Sequence, residues 1–244
     1  MGREGQEEAL NRRNYETFIA LYRGREDVIA ELRDGKYHPL LGMGGLTFER
    51  FQEHVKLEKT YAIYNRDNEG RVHFGLFDVD VLPRTMGWKK ILAALDEKRE
   101  ETKRIMATLE KLGLKRKNIL LEFPTVGYHI LVFFTKPVAA GVLKRLMTFV
   151  LEDASLPHIP FYPHDITERP WGDRVPLPLR VNQNTGKRSV FLRDLDVFDP
   201  ENYDEVPDFS ILEEVEPVDE SWVTTVVSRL GLKTPLEAEF NKNL

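Results

Sequence analysis

His73-Phe74-Gly75-Leu76-Phe77-Asp78-Val79-Asp80-Val81 is the most informative stretch of this 244-residue chain. Its apolar residues read as a β-strand, and strand side chains alternate between two faces. Phe77, Val79 and Val81 then share one face, and Asp78 and Asp80 share the other at a separation of ~7 Å along the strand. Like charges at that distance raise each other's pKa. A divalent cation between them removes the penalty, and so do Lys or Arg side chains from neighbouring strands. The pair alone leaves both readings open.

Residues 60–64 precede this strand across the turn-like segment 67–70, which predicts a hairpin. Residues 87–112 place Ile91, Leu92, Leu95, Ile105, Leu109 and Leu112 at helical spacing and stop at Gly113. Segments 118–123 and 128–134 are apolar and separated by Pro124 to Gly127, a second predicted hairpin. Residues 138–152 return to helical spacing. Prolines are dense from 157 to 178, and segments 175–181 and 189–192 flank residues 182–187 as a third predicted hairpin. Nearer the N-terminus, residues 7–23 and 27–32 read as helices, 42–45 as a Gly-rich turn and 47–54 as a short helix; 222–230 is a late helix. Helices alternating with hairpins predict an α+β fold with a mixed or antiparallel sheet flanked by helices. The expected organisation is an N-terminal helical region over 1–55, a core over 56–195 and an acidic C-terminal segment with a late helix over 196–244, packed on the same domain.

The composition, 41% apolar and 31% charged, excludes disorder and collagen-like sequence. With no cysteine there is no disulfide framework, Cys-based zinc site or thiol nucleophile. Abundant Glu, Lys and Arg without Cys fits a heat-loving source. No apolar run reaches the ~18 residues of a membrane span, and the charged N-terminus is unlike a secretory signal, so no membrane association and a cytoplasmic location are expected. The net charge of -5 is unevenly spread: residues 1–193 carry 32 Lys and Arg against 26 Asp and Glu, whereas 194–244 carry 3 against 14. Segment 194–220 holds twelve acids and no Lys or Arg. It is expected to lie away from any polyanion, to shield a basic surface, or to be an ordinary solvated loop.

Two further segments carry candidate chemistry. In Thr125-Val126-Gly127-Tyr128-His129-Ile130-Leu131-Val132-Phe133-Phe134, a single His enters a strand otherwise devoted to packing. It is either a satisfied core residue or, if its strand neighbours Asp78 and Asp80, a donor to the phosphate of a metal-bound nucleotide. In Pro176-Leu177-Pro178-Leu179-Arg180-Val181-Asn182-Gln183-Asn184-Thr185-Gly186-Lys187-Arg188-Ser189-Val190-Phe191-Leu192, three cations and several turn N–H groups fall within nine residues. That composition suits either a polyphosphate or a solvated hairpin tip.

Taken together, the Leu76–Val81 strand with its D-x-D, Gly127-Tyr128-His129 about fifty residues later, and Asp165 followed by the basic Arg180–Arg188 region resemble the archaeo-eukaryotic primase superfamily. The likeness covers about residues 57–195 and is greatest to primase-polymerases of archaeal plasmids, bacterial conflict systems and eukaryotic repriming enzymes. It implies a fold with an RRM-like half and a nucleotidyltransferase that extends a primer terminus or an initiating nucleotide from NTPs or dNTPs on a DNA template, in replication, repair or mobile-element maintenance. It implies that Asp78, Asp80 and a third carboxylate hold two Mg²⁺ or Mn²⁺ ions, with no zinc. By motif, His129, next to Gly127, meets the nucleotide phosphates, and Arg180, Lys187 and Arg188 meet the triphosphate or template. A helicase or another replication protein is an expected partner.

Asp165, followed by apolar Ile166, is preferred over Asp173 as the third ligand because Asp173 beside Gly172 reads as a turn. The chain departs from the pattern in three places. Conflict-system relatives have Glu before Phe-Pro-Lys where this chain has Pro160 before Phe161-Tyr162-Pro163-His164; the Ser of Ser-x-His is Gly127; and the zinc module of many relatives is absent. A replication-initiator endonuclease would need His-x-His, which His129 does not supply. The stronger alternative is a non-catalytic single-strand-binding RRM-like module that stacks bases on Tyr128, Phe133 and Phe191.

Overall fold

The computed structural model describes residues 11–82, 87–164 and 171–232. Two antiparallel sheets organise them. The first comprises β1 (Val28–Arg33), β2 (Lys36–Leu41), β3 (Tyr61–Tyr64) and β8 (Arg174–Pro176), in the order β2-β1-β3-β8. The second comprises β4 (Arg71–Asp80), β5 (Ile119–Phe123), β6 (Gly127–Ala139), β7 (Phe161–Tyr162) and β9 (Val190–Leu192), in the order β7-β4-β6-β5-β9. The helices are α1 (Arg12–Leu21), α2 (Phe48–Val55), α3 (Trp88–Lys111), α4 (Ala140–Asp153), α5 (Ser210–Glu213) and α6 (Ser221–Arg229).

The succession β4-α3-β5-β6-α4-β7, with strands ordered β7-β4-β6-β5, is the split β-α-β topology of ferredoxin- and RRM-like domains. Strand alternation gives the second sheet two buried faces. Phe77, Val79, Leu121 and Ile130 turn to one side, where Ile91, Leu95, Ile105 and Leu109 of α3 and Leu143, Leu146 and Val150 of α4 cover them. Phe74, Leu76, Leu120, Leu131 and Phe133 turn to the other, and pack with Ile29, Tyr61, Ile63 and Val175 of the first sheet, Phe18 of α1, Tyr22 just after it and Phe51 of α2. The site described below continues the polar end of this second face.

The α+β class, α1, α2, α3, α4, α6 and the β5-β6 hairpin agree with expectation, and Thr47 caps α2 by accepting from Arg50 N–H at 3.3 Å. Residues 27–32 do not form a helix. They are β1, which turns through Asp34 and Gly35, both at positive φ, into β2. The region 1–55 therefore supplies half of the first sheet as well as helices. The first and third expected hairpins open instead of pairing: around 67–70 and 182–187 the chain keeps single bridges, Arg66 with Val72 and Val181 with Arg188. Beyond them β3 and β8 join the first sheet, and β4 and β9 the second.

The acidic segment is matched by cations of the chain itself: Asp196 with Lys103 at 2.6 Å, Glu216 with Lys117 at 2.6 Å, Glu220 with Lys136 at 3.0 Å, and Asp208 and Glu214 with Arg193. Each such surface pair is worth about 0–1 kcal/mol. Among the described residues no helix is long and apolar enough to cross a membrane.

Candidate active site

Along the inter-sheet face of the second sheet the side chains form successive rows. Phe74 lies opposite Phe133, then Leu76 opposite Leu131, which has Leu120 on its other side. In the next row Asp78 is opposite His129, and His129 is opposite Glu122; after that Asp80 is opposite Gly127. Two apolar rows thus end in polar ones on three adjacent strands.

Asp78 and Asp80 are buried, at 4% and 8% exposure, and His129 is half-buried. One ligand atom from each of Asp78, Asp80 and His129 falls within 4.8 Å of the others. His129 Nε2 is 3.5 Å from Asp78 Oδ1, and its Nδ1 is 2.8 Å from Glu122 Oε2. Burial alone lowers the imidazole pKa, but Glu122 and Asp78 outweigh it and push the value up to about 10. The two carboxylates suit a hard divalent cation such as Mg²⁺ or Mn²⁺, whereas the protonated imidazole beside them has no free lone pair and suits an anion.

Gly127 sits where no side chain fits. A Cβ there would lie 2.2 Å from Val79 O, 2.6 Å from Asp80 Cα and 2.8 Å from Asp80 Oδ1. The close approach of β6 to β4 explains why the expected Ser is missing: its hydroxyl would have to be carried by an atom that overlaps the neighbouring backbone.

The basic hairpin tip is fastened to this end of the sheet. Asn182 Nδ2 donates to Pro124 O at 3.3 Å, and the Thr125 and Thr185 hydroxyls are 2.8 Å apart. Lys187 Nζ lies 4.9 Å and 5.1 Å from the ring centroids of Trp88, which opens α3, and Tyr203. Two aromatic faces hold this ammonium beside the turn that leads to Gly127 and His129. Arg180 is half-buried, and its charge opposes the burial that raises the Tyr37 pKa and adds to the burial that lowers that of His54.

The structure does not bring Arg188 to the cluster. It is 3% exposed; Nε donates to Leu179 O at 2.9 Å and Nη2 to Val55 O, the last residue of α2, at 2.7 Å. Burial lowers its pKa to about 10. Its guanidinium closes the C-terminal end of a helix, so the expectation of a phosphate contact gives way to a structural role. Asp173 is likewise elsewhere. Its Oδ2 accepts from His164 N–H at 2.7 Å, and its backbone pairs with Asn65. Asp165 lies outside the described residues.

Glu122 escaped the sequence reading. Its signal was one acid in the apolar run Ile119-Leu120-Leu121-Glu122-Phe123, whose hairpin register with β6 sets it beside His129. The alternative of a stacking platform loses its surface, because Tyr128, Phe133 and Phe191 are 0%, 1% and 5% exposed. Tyr128 belongs to the helix-covered side of the sheet, and the other two lie within the inter-sheet core.

No curated protein matches the chain. Among solved structures, the AEP domain of the cyanophage S-2L primase-polymerase aligns with a TM-score of 0.39 and 16% identity, over 84% of this chain and 98% of that one. The profile described as "TOTE conflict system, Archaeo-Eukaryotic Primase domain" matches residues 42–226, which include β4, β5 and β6 with every member of the polar rows. With three-quarters of its length inside that match, the chain belongs to the archaeo-eukaryotic primase domain family of TOTE conflict systems.

Proposed function

We propose that the chain is a primase-polymerase, joining NTPs or dNTPs to a primer terminus or an initiating nucleotide on a DNA template in replication, repair or mobile-element maintenance. The observation that carries this reading is the β4-β6 register, which gathers Asp78, Asp80 and His129 beyond the apolar rows of the inter-sheet core. Asp78 and Asp80, with Asp165 as the third carboxylate, would hold two Mg²⁺ or Mn²⁺ ions. Such ions, when bound, neutralise triphosphate charge and favour ionisation of the attacking 3′-hydroxyl.

The chain's own residues then bind and orient the nucleotide. His129, protonated between its two acids, donates from Nε2 to a phosphate oxygen. Lys187 and Arg180 supply positive charge to the triphosphate or template, and the Asn182 and Thr185 contacts hold the Lys187 loop in place beforehand. A helicase or another replication protein would present the template.

The test is primer extension with labelled nucleotides and Mg²⁺ or Mn²⁺. Extension by the wild-type chain that disappears in Asp78→Ala and Asp80→Asn, with melting curves unchanged, supports the reading. Full activity in Asp80→Asn removes the metal assignment, and template binding without extension by the wild type moves the function to non-catalytic single-strand binding.

A further inference from the structure

Glu122 is a carboxylate in the interior of a five-stranded sheet, 4% exposed, and the other four residues of its strand are buried and apolar. Placing a charge there is costly unless a partner and hydrogen bonds compensate. Among the described residues its hydrogen-bond partner is His129, through the 2.8 Å contact of Nδ1 with Oε2. Glu122 is not one of the three groups that gather within 4.8 Å of one another, because the imidazole stands between it and Asp78. On its other side β9 places Phe191 opposite it. Among the described residues, the hydrogen bond that links this carboxylate to the site is the one to the ring of His129.

That contact settles the ring orientation. Turning the imidazole over would exchange Nδ1 for a carbon and forfeit the bond to Glu122, so the observed orientation keeps Nε2 on the Asp78 side. We infer that Glu122 is a positioning residue for nucleotide binding, which aims His129 Nε2 at the phosphate through the Nδ1 hydrogen bond. This inference rests on the nucleotide-binding role given to His129 above. Carboxylates that orient a functional histidine in this way typically contribute about 10–100-fold when the histidine's ligand is a metal, and a similar scale is expected here.

The experiment combines kinetics with a spectroscopic measurement that needs no catalysis. Glu122→Ala is expected to raise the nucleotide KM about 10-fold or more with a smaller change in kcat. Glu122→Gln, whose amide oxygen can accept the same N–H, is expected to stay near wild type. Adding Glu122→Ala to His129→Ala should cost nothing further, and an equal loss in both backgrounds would overturn the inference by showing that Glu122 acts independently of the ring. Glu122→Met, similar in volume and without an oxygen acceptor, replaces the alanine variant if that variant does not fold.

Ring nitrogen NMR of ¹⁵N-histidine-labelled protein should show a His129 Nδ1–H that exchanges slowly in the wild type and Glu122→Gln and is lost in the variant without an acceptor. An unchanged signal in that variant overturns the positioning role. A wild-type chain that extends no primer but shows the expected NMR pattern overturns the polymerase reading instead, and the positioning is then judged by binding of a fluorescent nucleotide.

Discussion

Replacing His54 by Asn should remove a pH-dependent part of the stability whose size follows from the burial of the ring. His54 is 1% exposed, its Nε2 is 2.7 Å from Pro178 O, and its Nδ1 accepts the Tyr61 N–H at 3.2 Å. Those partners require a neutral ring with the proton on Nε2. Burial lowers its pKa from 6.5 to about 4, with Arg188 and Arg180 adding to the shift and Pro178 O opposing it. Because the folded state binds this proton less readily than the unfolded one, the stabilisation is complete above pH 6.5 and is lost as pH falls toward 4. The full difference is ~3 kcal/mol, of which ~2 kcal/mol falls between pH 7.5 and pH 5.

The wild-type curve by itself hides this term. His129, raised to about 10, contributes stability that is complete below pH 6.5 and lost as pH rises through 10, so over the same interval it changes in the opposite sense. Urea unfolding of wild type and His54→Asn at both pH values cancels the His129 term. The stability gap between the two proteins should narrow by ~2 kcal/mol on going from pH 7.5 to pH 5. A gap constant to within ~0.5 kcal/mol would refute the claim that the ring is held neutral by its surroundings.

Three other substitutions probe the site and its supports. Gly127→Ser should destabilise the chain by about 1–3 kcal/mol or more and abolish extension, because its Cβ must push β6 away from Val79 and Asp80; a stable, fully active variant would show that the strands lie farther apart. Arg188→Met should cost about 2–4 kcal/mol in denaturant by stranding two buried carbonyls, with nucleotide KM near wild type; a large KM rise at unchanged stability would return Arg188 to the nucleotide. Asp165→Ala should stop extension without lowering the melting temperature, whereas Asp173→Ala should lower it by removing the acceptor of the His164 N–H; wild-type rates in Asp165→Ala would place the third carboxylate elsewhere.

The polar rows were partly legible because strand alternation is a local rule. A two-residue period obliges Asp78 and Asp80 to share a face, and the Pro124–Gly127 turn obliges β5 and β6 to pair. What local rules do not carry is which sheet a strand enters. The turn at 67–70 looks the same from within whether its arms stay together or part, and here the inter-sheet apolar core, contributed by both sheets and by α1 and α2, decides that they part. Val28-Ile29-Ala30-Glu31-Leu32 has apolar spacing that serves a helix or a strand. The neighbouring Asp34-Gly35 was the available hairpin signal, and its positive φ values form the turn. Arg188 misled for another reason: composition counts a cation without saying whether its five donors are spent on backbone carbonyls.

The parting of those arms has a consequence for biosynthesis. As the chain leaves the ribosome, β1, β2 and β3 emerge early, but their fourth strand, β8, follows about a hundred residues later, and β9, which borders Glu122, comes later still. Neither sheet can be completed on its own schedule, and contacts this distant in sequence are slow to form. A nascent chain arrested before residue 174 would expose the apolar surface meant for the space between the sheets. Nucleotide-binding competence should accordingly arrive only after residue 192 has been made, when the last strand of each sheet has been laid down.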